Sequence, residues 1–260
     1  MSLTLCVLAS SSSGNCICVR SPQTAILIDA GLSAREIGRR LAEAGGDIAA
    51  VRAVCLSHEH SDHIAGIALL QRKHGLALYA NAGTIEGVRQ DPKCEGLAWQ
   101  VFTTGSPFKI GDLTIEPFSV PHDAYDPVGF VLESGGVRVG VATDMGMATT
   151  LIRERLRPCQ ALVLEANHDE YLVQQSPRPW ALKQRILGRQ GHLSNRAAAE
   201  LLAEIAGPAL QRVFLAHLSA ECNEPGLALR AVRESLDQKG HTHVALSMTW
   251  PDRVSETWSA

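Results

Sequence analysis

The chain has 260 residues, 45% hydrophobic and 20% charged, with a formal net charge of −3 and a pI near 6.4. That length can bury a substantial core, and that charge excludes a broadly basic nucleic-acid coat, though not a local basic groove. No run approaches 18 consecutive apolar residues, so no membrane-spanning helix and no membrane partner are expected.

The first residues lack a basic n-region, and residues 3–9 read as a strand, not as a signal peptide. Residues 10–15, SSSSGN, form a turn that serves either as a plain strand connection or as a nest of backbone N–H groups for an anion. The seven cysteines lack zinc-finger spacing. Cys16 and Cys18 are expected on opposite faces of a strand, and all seven as buried, reduced thiols of a cytoplasmic protein. β-rich runs then recur: AILIDA, RAVCLSH, LALYA, LTIEPFSV, VGFVLE, VRVGVATD, ALVLEA, RVFLAHL and HVALSM. Between several of them lie amphipathic patterns of period 3.6: SAREIGRRLAEAG, IAGIALLQRKHG, TTLIRERLR, SNRAAAELLAEIA and EPGLALRAVRESLDQKG. Two runs joined across Ser-Gly-Gly, in GFVLESGGVRVGVATD, predict a hairpin. Strands interleaved with helices predict an α/β protein whose sheets are covered by helices. Nothing marks a linker, a repeat or a low-complexity tract, so residues 1–260 are expected to form a single domain.

Polar residues collect where these strands stop. Asp29 ends ILID, and His58, His60, Asp62 and His63 follow AVCLS. His122 follows IEPFSVP, Asp144 ends VGVATD and His217 ends RVFLA. Open α/β sheets put their sites at such carboxyl ends. In SHEHSDH, His58 and His60 share one side of the segment while Asp62 and His63 turn to another, which suits two cations better than one. Neutral imidazole with carboxylate is the ligand set of zinc, manganese or iron.

The pattern H-x-H-x-D-H after a strand, followed by a His, an Asp and a last His, resembles the metallo-β-lactamase superfamily from Asp29 to His217. The resemblance implies the αβ/βα sandwich, a four-layer arrangement of two mixed sheets flanked by helices. It implies that His58, His60 and His122 hold one divalent ion, that Asp62, His63 and His217 hold a second, and that Asp144 bridges them. Asp29 would brace the histidine loop. SSSSGN, DAGLSAREI, SHEHSDHIAGI, VPHDAYDPVGF, LEANHD, GHLSN and LAHLS, in that order, are together similar to the YycJ/WalJ-like group. Its members are regarded as DNA exonucleases acting from the 5′ end, or as phosphodiesterases.

The fold alone does not choose a reaction. A flavo-diiron oxidoreductase would carry Glu at His60, and a common zinc β-lactamase would carry Cys at Asp144. Glu165 in LVLEAN and His192 in GHLSN resemble the proton-shuttle pair of the tRNA-processing zinc phosphodiesterases. Each also has a plainer reading, Glu165 as the partner of an arginine and His192 as the neighbour of a capping Ser194. Residues 171–199 contain no acid but include Arg178, Lys183, Arg185, Arg189 and Arg196. Such a run is either a solvated helix face or a grip on a nucleic-acid backbone, with Trp180 as a stacking surface. Beside a phosphodiester site, Arg178, Lys183, Arg185 and Arg189 are expected to bind substrate.

The resulting expectation is metal-assisted phosphodiester hydrolysis by a cytoplasmic DNA exonuclease acting on strand ends from the 5′ side. It would use two divalent ions, zinc first, with manganese or iron as alternatives. Asp62 serves as ligand and catalytic carboxylate, and Glu165 orients His192 to protonate the departing sugar oxygen. The alternatives are a hydrolase of small or cyclic phosphodiesters, a glyoxalase II-like thioesterase, and a catalytically silent binding protein. The interval from Asp144 to His217 holds little beyond one strand and a few helices, so no inserted lid domain and an open groove are expected. His168 stands between an active-site and a structural reading. His74, on a helix end, and His241 and His243, on a late strand, are expected to be structural.

Overall fold

Leu5 and Val7 of the first strand face one way, Cys6 and Leu8 the other, and all four are buried. Strands buried on both faces belong to sheets covered on both sides. The computed structural model, which describes residues 3–260, contains two of them. The first sheet runs from β1 (Thr4–Ala9) through β2 (Cys16–Arg20), β3 (Ala25–Ile28), β4 (Val51–Cys55) and β5 (Ala77–Ala80) to β6 (Trp99–Val101). The second runs from β7 (Phe108–Ile110) through β8 (Leu113–Ser119), β9 (Val128–Ser134), β10 (Val137–Ala142), β11 (Ala161–Glu165) and β12 (Arg212–Ala216) to β13 (Ala245–Met248). The last strand, β14 (Trp258–Ser259), returns to pair with β1. Both sheets are mixed: β3 to β6 and β10 to β13 are parallel, and the remaining pairs antiparallel.

Three apolar layers separate the elements. Phe130, Phe214, Leu5 and Ile28 lie between the two sheets. Outside the first sheet pack α1 (Ala34–Glu43), α3 (Ile67–His74) and α4 (Ala82–Val88), through Ile37, Leu41, Leu70 and Ile85. Outside the second pack α5 (Thr150–Leu156), α8 (Asn195–Ile205) and α9 (Pro225–Gln238), through Leu156, Leu202 and Val232. The result is the αβ/βα sandwich of four layers. The expected hairpin joins β9 to β10, with Val137 opposite Ser134 and both intervening glycines at positive φ, the backbone of a two-residue turn.

Cys16 and Cys18 correct an expectation. They face the same helix-covered side, while Ile17 faces the other sheet, because side chains two apart share a face. All seven cysteines are buried and free. The predicted helix over residues 64–75 is broken at Gly66, leaving the short α2 (Ser61–Ile64) ahead of α3. A side chain at Gly66 would strike the backbone of residues 30 and 32, so the helix parts to let that loop in. No helix among the described residues is long and apolar enough to cross a membrane.

Phe130 is fully buried between the sheets, whereas Trp180 is 73% exposed. Phe130→Ala should cost about 3–5 kcal/mol of stability in urea unfolding, and Trp180→Ala no more than about 0.5 kcal/mol.

Candidate metal centre and active site

The carboxyl ends of β3, β4, β8, β10, β11 and β12 meet at one end of the sandwich. The first sheet brings Asp29 and residues 57–63, and the second brings His122, Asp144, Glu165 and His217. Asp29, Asp144 and His217 each turn the chain sharply with φ of 60°, 55° and 56°, and they are the only non-glycine residues at positive φ among those described. Left-handed backbone costs a residue with a Cβ about 1–2 kcal/mol, so the surrounding structure holds these three turns against strain. Gly31 allows three loops to converge, since a side chain there would run into the Asp62 backbone. Asn15 N donates to Asp62 O and Gly31 N to Asn15 O, each at 2.8 Å.

Ligand atoms gather into four overlapping groups, of which His58, His60 and His122 form one cluster and Asp62, His63 and His217 a second. In the first, His58 Nε2 lies 3.0 Å and His122 Nε2 3.3 Å from His60 Nδ1. His122 donates its Nδ1 proton to Gly191 O at 3.1 Å, so its Nε2 lone pair faces inward. Burial, reinforced at His58 by the neighbouring imidazoles, holds His58 and His122 below the ordinary histidine value. Neutral rings aimed at one another in this way fit a cation. In the second cluster, His63 Nδ1 donates to Asp29 Oδ2 at 2.8 Å, leaving Nε2 facing Asp62 Oδ2 and Asp144 Oδ2, each at 3.3 Å. His217 Nε2 lies 3.6 Å from Asp62 Oδ2. Both His217 Nε2 and Asp144 Oδ2 are buried without a hydrogen-bond partner among the described residues. Orphaned donors and acceptors of this kind fit a divalent ion held by nitrogen and oxygen. Burial acts to lower His63 and His217, but Asp29 and Asp144 at His63, and Asp144, Asp62 and Glu165 at His217, outweigh it and hold both above the ordinary value. Burial likewise pushes Asp62 up, and the His217 and His63 rings hold it far below its usual range. Asp144 lies between the clusters, its Oδ1 3.9 Å from His122 Nε2.

Glu165 ends β11 with its side chain fully buried, and no arginine touches it. Oε1 accepts from His192 Nδ1 at 2.8 Å and from His217 Nδ1 at 2.9 Å. Oε2 accepts from the backbone N–H groups of Met145 and Leu193 at 2.9 and 3.0 Å. Burial pushes this carboxyl up, but the His192 and His217 rings outweigh it and keep Glu165 ionised. In turn Glu165 overcomes the burial of His192 and raises that ring above its ordinary value. Both imidazoles therefore keep Nδ1 protonated and turn Nε2 away. Ser194 does cap α8, accepting from Ala197 N at 3.2 Å.

Several positioning residues escaped the sequence reading. Ser57 N and Oγ both donate to Asp29 at 2.8 Å. Asn15 Nδ2 lies 3.1 Å from both Asp62 Oδ2 and His63 Nε2. Ser10 Oγ accepts from His217 N at 2.8 Å, and Asn167 Nδ2 donates to His217 O at 2.7 Å. Asp123 follows His122 and pairs with Arg185. Each adjoins a recognised motif, which is the one signal available.

The basic run divides. Arg178, held by Glu221 at 3.0 Å, and Arg185 line a hollow of about 180 Å³ that His192 also borders. Lys183 and Arg189 do not line it, and the Lys183 ammonium donates to Gln174 O at 2.6 Å. Arg196 pairs with Glu170 and Glu200 on the solvated face of α8. Helix α7 (Trp180–Leu187) borders the hollow through Leu182, Arg185 and Ile186, and α6 (Glu170–Gln175) packs against it through Val173, beside Ile186 and Cys222. His168 is buried beside Asn167 and bridges to Ser194 without joining either cluster. His74 is exposed, and His241 and His243 lie in the turn before β13, not within it.

Comparison with known proteins agrees with this geometry. A β-lactamase superfamily domain model matches residues 24–218. Exodeoxyribonuclease YycJ of Bacillus anthracis is 33% identical over 247 residues, 92% of this chain and 91% of that protein. Exodeoxyribonuclease WalJ of Streptococcus pneumoniae is 34% identical over 235 residues, 89% of this chain and 87% of that one. Among solved structures, the metallo-β-lactamase fold protein YhfI of Bacillus subtilis superposes with a TM-score of 0.74 over 100% of both chains at 16% identity.

Because the clusters are assembled only by folding, adding Zn²⁺ or Mn²⁺ to metal-free protein should raise its unfolding temperature. Elemental analysis should find both clusters depleted in Asp144→Ala and mainly the second in Asp62→Ala. Asp29→Asn, which loosens the hold on His63, should weaken metal binding about 10–100-fold. Full occupancy in Asp144→Ala would contradict a shared carboxylate.

Proposed function

The chain belongs to the metallo-β-lactamase superfamily, in the YycJ/WalJ-like group, and from that membership we propose that it is a metal-dependent DNA exonuclease working from the 5′ end. In this reading residues 1–260 act as one domain in the cytoplasm, where seven unpaired thiols stay reduced. His58, His60 and His122 hold one divalent ion, Asp62, His63 and His217 a second, and Asp144 both. Zinc suits this nitrogen-rich set first, with manganese or iron as substitutes. Such ions supply Lewis acidity and make water a nucleophile near neutral pH.

One observation carries the choice of reaction: Glu165 Oε1 accepts from His192 and His217 together. Through His217 it orients a ligand, and through His192 it holds a proton donor beside the ligands. A departing sugar oxygen is a strongly basic alkoxide and needs that proton. A departing thiolate, with a thiol pKa of about 8.5, does not. The acid therefore favours phosphodiester over thioester. His192 gives its Nε2 proton to the leaving oxygen, and ionised Glu165 stabilises the imidazolium from which it comes. Asp62 completes the second cluster and orients the attacking water. A panel of single-stranded DNA, bis(4-nitrophenyl) phosphate and a glutathione thioester, each with Zn²⁺ and Mn²⁺, tests this reading. DNA digestion with thioester inertness is expected, and a thioesterase activity exceeding both phosphodiesterase activities would reverse it.

His192→Ala should keep its metal yet lose about two to four orders of magnitude in kcat on DNA. Its loss on a nitrophenyl ester, whose leaving group needs little protonation, should be much smaller. Glu165→Gln should differ by also weakening metal at the second cluster. Equal losses of His192→Ala on both substrates would remove His192 from the acid's role.

A further inference from the structure

His192 differs from its neighbours in how it is held. Glu165 and His217 end adjacent parallel strands, with Glu165 opposite Ala216, so the sheet itself sets their separation. His192 lies instead in the connection between α7 and α8. Yet its Nδ1 meets the same Glu165 oxygen that His217 uses, at 2.8 Å against 2.9 Å. A convergence of this kind persists only where each member is fixed to within about 0.5 Å. The His192 N–H, which donates to Ile186 O at 3.0 Å, ties the connection to α7 and not to the sheet.

Three buried asparagines stand where the segments carrying Glu165, His192 and His217 meet: Asn167 after β11, Asn195 at the first residue of α8, and Asn223 between β12 and α9. Asn167 N donates to Leu193 O and Asn195 N to His168 O, each at 2.8 Å, which lays the His192 connection beside the end of β11. The side-chain amides of Asn195 and Asn223 are paired reciprocally. Asn195 Nδ2 donates to Asn223 Oδ1 at 2.7 Å, and Asn223 Nδ2 donates to Asn195 Oδ1 at 2.9 Å. Asn223 Nδ2 also lies 2.8 Å from Ala166 O and 3.0 Å from Asn167 O, while Oδ1 accepts from Glu224 N at 2.9 Å. Those two carbonyls and that N–H leave the Asn223 amide a single orientation. A satisfied polar network of this sort fixes one arrangement of the chain, where apolar packing tolerates several. Resting on the reading of His192 as the proton donor, we propose that Asn195 and Asn223 are positioning residues for the phosphodiester reaction. Their amide pair locks the start of α8, and His192 three residues before it, to the loop that follows His217. The acid is thereby held in register with the metal clusters although it stands on neither sheet.

The variant Asn195→Ala tests this in the metal-loaded protein. It removes the amide pair, leaves Asn223 its bonds to Ala166, Asn167 and Glu224, and places a good helix former in the first turn of α8. A displacement of about 1 Å costs up to about a hundredfold in rate, so kcat on single-stranded DNA should fall about 10–100-fold. Metal content should match the parent's, and the loss on bis(4-nitrophenyl) phosphate, which needs little protonation, should stay below about threefold. The nitrophenyl ester also reports how much protein is folded and loaded, so the ratio of the two activities stands whatever the variant's stability. Introduced into His192→Ala, Asn195→Ala should cost less than about threefold more on DNA, because a residue acting through His192 then has nothing to position. Unchanged DNA digestion, equal losses on both substrates, loss of metal, or a full further loss in the His192→Ala background would each overturn the positioning role while leaving His192 its own. Equal losses on both substrates in His192→Ala itself, or a parent protein that digests no DNA, would overturn the reading beneath it, and the positioning role as well.

Discussion

Buried negative charge is the constraint on which the rest of this end of the molecule depends. Asp29, Asp144 and Glu165 are each no more than 2% exposed, and Asp62 stands beside them. An isolated carboxylate in such surroundings costs several kcal/mol. The raised rings of His63, His192 and His217 offset part of that charge, while His58 and His122 of the first cluster are held neutral by burial and offset none. The loops deliver four carboxylates to one place, and a divalent cation among them would offset the remaining charge. The two sheets supply rigidity, each turn supplies one or two groups, and Gly31 and Asn15 stitch the turns together.

Within that arrangement the two halves of the sandwich divide the labour. The first sheet contributes the histidine-rich segment and its brace, Asp29 with Ser57. The second contributes Asp144 between the clusters and Glu165 behind His192 and His217. A single carboxylate oxygen thus holds two imidazoles, one inside the second cluster and one at its edge. Disturbing Glu165 cannot release one ring without the other, whereas His192 stands at the outer, more exposed end of that link.

Much of this was legible in the sequence because it is chemistry at strand ends. Histidine and aspartate placed directly after β-rich runs are costly to bury unless a cation meets them, and the alternation of buried strands announces covered sheets. What could not be read is whatever depends on loops meeting. Asn15 looks like an ordinary turn residue until Asp62 and His63 are brought against it. Asp123 gains its meaning from Arg185, 62 positions away. Helices α6 and α7 span six and eight residues, interrupted by Ser-Pro-Arg-Pro, and the apolar period is too brief to register. Their packing around Cys222 could not be foreseen from so short a pattern. Strands β6, β7 and β14, of two or three residues at sheet edges, are likewise too short to carry an alternating pattern.

The left-handed turns at Asp29, Asp144 and His217 have an evolutionary consequence. Glycine would adopt each of these conformations at no steric cost, so folding stability alone favours losing the side chains found there. Selection for an intact site is what opposes that drift. A descendant of this chain that abandoned catalysis would gain stability by relaxing these three positions, and they should be among the earliest to change. Retention of aspartate, aspartate and histidine at the three turns is therefore a record of use, written in backbone strain, that a comparison of core residues would not reveal.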